Sequence, residues 1–265
     1  MRKLAIAVLM LLVFTLPAAA NMAETVADMW NDGTGQYVPG PLYGGGRDVL
    51  LDNGAFETEP GLSVLQSVSL GMNTLGFGHQ FLSDIHVADD FEVPPGPGWV
   101  ISTITFFAYQ TNSPTSPSTI TGAYFQILDG PPDDVNSSVV WGDLVTNRLT
   151  SSMWTGVYRV SETTLTSTAR PIMADVCAVV ITLPPGYYWL EWMTDGSLAS
   201  GPWVPPITTI GETTTGNGMQ YYLEAWGPLL DSGTSTFQGL PFIIEGTIPT
   251  PVEQSSWSGI KALYR

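Results

Sequence analysis

The sequence predicts an all-β fold, an antiparallel sandwich or barrel, and three observations predict it. No stretch after the first 20 residues sustains the 3.6-residue period of a helix. Short runs of β-branched and aromatic residues recur instead, bounded by Gly, Pro, Asn and Asp. About 200 residues in one all-β unit is a common size for a sandwich, and long enough to bury a large core.

Taken in order, Arg2 and Lys3 precede an apolar run from Leu4 to Leu16, then Pro17 and Ala18 to Ala20. A basic start, a short apolar stretch and a small-residue site predict a secretory signal peptide over 1–20, cleaved after Ala20. The apolar run is shorter than the roughly 20 residues that span a bilayer. Residues 21–47, with Gly44, Gly45 and Gly46 together, read as an extension or loosely attached arm. A β domain is expected over 48–248.

Its strand candidates are VLLDNG (49–54), IHVADDFEV (85–93), VISTITFFAYQT (100–111), GAYFQILDG (122–130) and SSVVWGD (137–143). GVYRVSET (156–163), VCAVVITL (176–183), YYWLEWMT (187–194), MQYYLEAW (219–226) and LPFIIEGTI (240–248) follow. Alternation puts Ile104, Phe106 and Ala108 on one face, and sets Tyr124, Gln126 and Leu128 against Ala123, Phe125 and Ile127. TNSPTSPST (111–119) reads as a polar, hairpin-like loop. Pro184-Pro185-Gly186 reads as a tight connection with Gly186 at positive φ. PTP (249–251) is a stiff spacer before a tail ending at Arg265.

Charge excludes some partners. The 265 residues carry 24 acidic and 8 basic side chains, a formal net charge of −16. Removing the leader leaves six basic residues and a net charge of −18. No lysine occurs between Asn21 and Gly259, where Arg47, Arg148, Arg159 and Arg170 are the basic residues. Nucleic acid and anionic membrane surfaces need Lys and Arg, so neither is an expected partner. The single cysteine, Cys177, cannot close an intramolecular disulfide and sits in an apolar run, which predicts a small buried hydrophobe.

Several segments resemble a family in combination. They are DNG (52–54), VADDFEVPPGPGWVISTITFFAYQT (87–111), QILDGPP (126–132), GVYRV (156–160), RPIM (170–173), LPPGYYWLEWMTDGSLASGPWVPP (183–206) and LPFIIEGT (240–247). In this order they resemble a secreted bacterial β-sandwich module found with exchangeable C-terminal anchors, including the PEP-CTERM type. The resemblance covers about residues 48–248 and implies an extracellular, single-domain, jelly-roll-like antiparallel β-sandwich. It implies no catalytic residues. The chain departs from anchored members in lacking a PEP motif, a C-terminal apolar helix and an Arg-rich end.

The chemistry the residues offer is narrow. There is no G-x-S-x-G elbow, and only His79 and His86 could act as a base. Glu191, on one strand face with Trp189, is the best single acid for glycoside hydrolysis, with pairing to Arg159 or Arg170 as the alternative role. Asp129, Asp133, Asp134 and Asn136 form one oxygen-rich cluster for a structural Ca2+, and Asp89 with Asp90 a second; turn chemistry is the alternative. Trp203, among prolines, is the first candidate platform for a sugar ring, followed by Trp154 and Trp141. Asn136-Ser137-Ser138 is a glycosylation sequon in form.

The tail sets Trp257, Ile260 and Tyr264 on one face of a short helix, with Lys261, Leu263 and Arg265 beside them. It resembles short terminal segments of other exported bacterial proteins and reads as a sorting tag, or as a terminus that packs on its own domain. The expected function is non-enzymatic: an exported protein acting at the cell surface or in the matrix by adhesion, assembly or contact with glycans or surface proteins. Polysaccharide hydrolysis through a carboxylate pair is one alternative. A structural subunit that polymerises through strand edges or the 21–47 arm is the other, and makes an oligomer a further expectation.

Overall fold

The computed structural model describes residues 23–25, as backbone, and 48–249. The expected tail residues 250–265 and the leader lie outside them. The strands in chain order are β1 (Ala23–Thr25), β2 (Asp48–Asp52), β3 (Leu62–Leu65), β4 (Thr74–Gly78) and β5 (His86–Val93). Then come β6 (Trp99–Ala108), β7 (Ile120–Leu128), β8 (Val139–Asp143), β9 (Leu149–Ser161) and β10 (Pro171–Leu183). β11 (Gly186–Gly196), β12 (Trp203–Val204), β13 (Met219–Tyr222), β14 (Ala225–Pro228) and β15 (Phe242–Thr247) complete the series.

They form two six-stranded sheets, ordered β2-β15-β6-β10-β9-β3 and β14-β13-β5-β11-β7-β8, and a small sheet ordered β1-β4-β12. Within the large sheets every pair is antiparallel except β3 with β9. If β2, β5, β6, β7, β8, β10, β11 and β15 are numbered one to eight, the sheet orders read 1-8-3-6 and 2-7-4-5. Those are the interleaved orders of a jelly roll, so the expected all-β, jelly-roll-like sandwich is the observed fold. The strands β9 and β3 extend one sheet at its edge, and β13 and β14 extend the other.

Strand alternation decides which side chains meet between the sheets. Val87, Phe91 and Val93 of β5, Phe125 and Ile127 of β7, and Leu190 and Trp192 of β11 face Ile104, Phe106, Cys177, Phe242 and Ile244 across one buried core. Trp192 is at its centre, stacked on Phe106 at 5.0 Å and edge-on to Phe242 at 6.1 Å. Removing a ring so enclosed costs roughly 3–5 kcal/mol. Cys177 is fully buried in the same core, the small hydrophobe expected of it, and burial pushes its thiol pKa up.

Four local expectations are corrected. The 111–119 loop joins β6 in one sheet to β7 in the other, so it crosses the sandwich rather than closing a hairpin. MQYYLEAW is two strands: Leu223 and Glu224 take φ of 52° and 61° and turn β13 into β14. Gly186 opens β11 opposite Val93, while positive φ at that corner belongs to Gly98, at 81°. There a Cβ would lie 2.3 Å from the Leu183 carbonyl, which only glycine avoids. Finally, Ala23–Thr25 pair with Phe77 to Thr74 of β4, so this part of the predicted loose arm is a strand.

Candidate functional site

The face of the β14-to-β8 sheet turned away from the core holds an organised polar cluster bordered by aromatic rings. Since Val87, Leu190 and Phe125 point inward, His86, Ala88 and Asp90 of β5 point outward. So do Tyr187, Trp189 and Glu191 of β11, and Tyr124, Gln126 and Leu128 of β7. Register brings them side by side: Glu191 lies opposite Ala88 on one flank and Gln126 on the other, and Tyr221 opposite His86.

Glu191 is the hub. One carboxylate oxygen is 2.6 Å from His86 Nδ1, and the other accepts from Gln126 Nε2 at 2.8 Å. The second ring nitrogen of His86, Nε2, meets Asp84 at 2.9 Å. Burial opposes charge on His86, but the hydrogen bonds and fields of Glu191 and Asp84 outweigh it and raise its pKa above 6.5. The result is a line of alternating charge, Asp84, His86, Glu191, ending in the Gln126 amide.

Aromatic rings border this line. Tyr221 lies 4.9 Å and Trp226 6.2 Å from the His86 ring. Trp189 and Leu128 pack with Ala88, Met219 and Trp226 into a small apolar cluster on the same face. Two residues along β11, Tyr187 is 69% exposed. At the other end the Phe81 ring stacks on Tyr124 at 3.8 Å. Half-buried Tyr221 and Trp226, with exposed Tyr187, thus offer ring faces beside fixed donors and acceptors.

This arrangement suits binding better than acid–base catalysis. Glu191 is buried, and each of its oxygens already has a donor, so neither is free to carry a proton to a substrate. The expected partners Arg159 and Arg170 are not its partners: Arg159 is buried, donating to the Leu75 carbonyl at 2.8 Å and to Ser63 and Thr208 hydroxyls at 3.0 Å. His79, the other expected base, is fully buried beside Thr194, and burial lowers its pKa to about 3. It is a neutral core histidine.

The three tryptophans singled out in the sequence are elsewhere. Trp203, half-buried in β12, packs beside Phe56, Phe107 and Tyr109 and donates to Ser200 Oγ at 3.3 Å. Trp154 packs on Tyr158 and donates to the Val157 carbonyl at 3.2 Å. Trp141 lies against Phe125 at 5.3 Å with the Arg148 guanidinium 5.0 Å from its ring. Each ring is packed on its own domain, because a strand tryptophan beside a core gains more from burial than from water.

The calcium clusters do not assemble. Asp129 accepts from the Ser138 N–H at 2.6 Å, and Asp134 from the backbone and side chain of Asn136 at 2.9 and 2.8 Å, while Asp133 is exposed. These acids close the β7–β8 turn. Asp89 points inward and accepts from the Leu240 N–H at 2.6 Å, whereas Asp90 is on the opposite face. Among the described residues no three His, Cys, Asp or Glu side chains converge as a metal site.

Trp226, Tyr221 and Tyr187 are therefore the aromatic residues of this face that sequence reasoning did not reach. Alternation in YYWLEWMT already set Trp189 and Glu191 on one face. What joins this face across strands is the register between β5, β11 and β13, which no local pattern encodes. Compared with protein-family models, curated proteins and solved structures, the chain matches none.

Proposed function

We propose that the protein is an exported, non-enzymatic jelly roll that contacts glycans at the cell surface or in the matrix through this outward sheet face. The observation that supports the reading is the pairing of ring faces with a fixed polar line: Tyr187, Tyr221 and Trp226 beside His86, Glu191 and Gln126. A sugar ring has an apolar face that stacks on an aromatic and hydroxyls that need pre-oriented donors and acceptors. Both are present on one sheet, where the strands keep them rigid. Hydrolysis draws less support, since Glu191 has no free oxygen.

Affinity electrophoresis on a panel of acidic and neutral polysaccharides tests this. Trp226→Ala and Tyr187→Ala are each expected to weaken retention about tenfold, near 1.4 kcal/mol, with unfolding of Tyr187→Ala unchanged because that ring is exposed. Equal retention of both variants and the parent on every polysaccharide overturns the reading.

A further inference from the structure

A second feature lies at the far edge of the other sheet. Between β3 and the 66–70, 162–165 and 209–211 segments is a pocket of about 590 Å³. Val64, Leu70, Leu165 and Ile210 give it apolar walls, and Glu59 and Glu162 contribute acid. Its rim is uncovered: Ile210 is 60% exposed, Leu165 42% and the neighbouring Val68 71%.

The pocket is held open by its own hydrogen bonds. Gln66 donates to the Thr209 carbonyl at 2.9 Å and accepts from the Gly211 N–H at 2.8 Å. The Glu162 carboxylate accepts from Ser69 N–H at 2.8 Å and Ser69 Oγ at 2.6 Å, bonds that keep it ionised. An apolar pocket with fixed negative charge fits an apolar and cationic segment.

This protein has few such segments. Among its described cations, Arg159 and Arg170 are fully buried and Arg148 is paired with Asp143 at 2.5 Å. The stretch Trp257–Arg265 carries Trp257, Ile260, Leu263 and Tyr264 with Lys261 and Arg265, and no acid. We propose that the pocket is the receptor for the C-terminal segment of a second copy of this chain.

Reach separates a second copy from the same one. β15 ends at Thr247 opposite Val100, four strands from β3, which at about 4.8 Å per strand is roughly 19 Å. Along the strands, Val100 is some twelve residue steps from the level of Val64, roughly 40 Å. Trp257, the largest ring of the segment, lies ten residues beyond Thr247 and spans at most about 36 Å, so the ring that would fill the apolar walls falls short of its own pocket. A neighbour's segment has no such limit. Each copy carries both a segment and a pocket, so copies join reciprocally as an exchanged pair or onward into longer assemblies.

Sedimentation velocity on the full chain tests this, independently of any glycan. The parent is expected to associate with rising concentration, while Trp257→Asp and Ile210→Glu chains stay monomeric. Mixing the two variants gives dimers only, since one keeps a working pocket and the other a working segment. Lys261→Glu is expected to weaken association about tenfold, and Glu59→Lys in the same chain to restore it; the Glu59 side chain is exposed, so this swap leaves the fold intact. A monomeric parent at all concentrations, or variants that associate like the parent, overturns the proposal. So does a mixture that forms no dimers.

Discussion

Asp175 sits in the middle of β10, opposite Phe106 on one side and Ser152 on the other, and is fully buried. Burial, with no hydrogen-bond donor among the described residues on either carboxylate oxygen, pushes its pKa from 3.8 up to about 7. Asp89 is displaced to about 7 by the same cause, against the Leu240 N–H. An acid raised on folding is protonated in the folded state while its unfolded counterpart is already ionised. Its stability contribution is therefore greatest below pH 3.8, falls between pH 3.8 and 7, and stays low above that. Asp175→Asn removes one of the two raised acids, while His79, lowered to about 3, gains stability as pH rises to 6.5 in both proteins and offsets part of the remaining loss. Urea unfolding from pH 4 to pH 8 should show the parent losing stability across this window and the variant losing less, with a gain at pH 8 of roughly 3 kcal/mol. Parallel curves for parent and variant would reject the assignment.

Elements were legible where their pattern was long. The runs 85–93, 100–111, 122–130, 137–143, 176–183, 187–194 and 240–248 each contain or overlap a strand, because period-2 burial over several residues leaves its trace in composition. β3, β4 and β12 left none. LSVL and TLGFG are short and almost wholly buried, so they do not alternate, and the two residues of β12 lie among prolines. The β13–β14 turn was hidden because Leu223 and Glu224 hold left-handed φ without the Asn or Gly that signals it. β3 and β4 depend on a device no propensity encodes. Arg159 of β9 reaches across to the Thr74 and Leu75 carbonyls of β4 and to Ser63 of β3, tying three strands of two sheets. Arg159→Met fits the space but leaves those acceptors buried without their donor. It should lower unfolding free energy by roughly 3 kcal/mol, read from urea midpoints at constant slope.

At the scale of the whole molecule, the topology makes the two ends of the domain depend on each other. β15 lies between β2 and β6, pairing Ile243 with Asp52 on one side and Thr105 on the other. It is the last strand in sequence, yet it is an interior strand of its sheet and brings Phe242 and Ile244 into the core. Without it β2 has no partner, and the rings of Phe91 and Trp192 lose Phe242. A chain ending at Gln238 should therefore show no cooperative thermal transition. One ending at Pro249 retains every strand of both large sheets and should melt within about 2 °C of the full chain. Differential scanning calorimetry on the two truncations distinguishes this closure from a fold built outward from its amino-terminal strands. In the latter the shorter chain would keep a cooperative transition at lower temperature, since β5 to β11 would still be present. The jelly-roll order argues against that outcome: β6 would then be an edge strand with its inward face, Ile104 and Phe106, open to water on the side that Phe242 and Ile244 now cover.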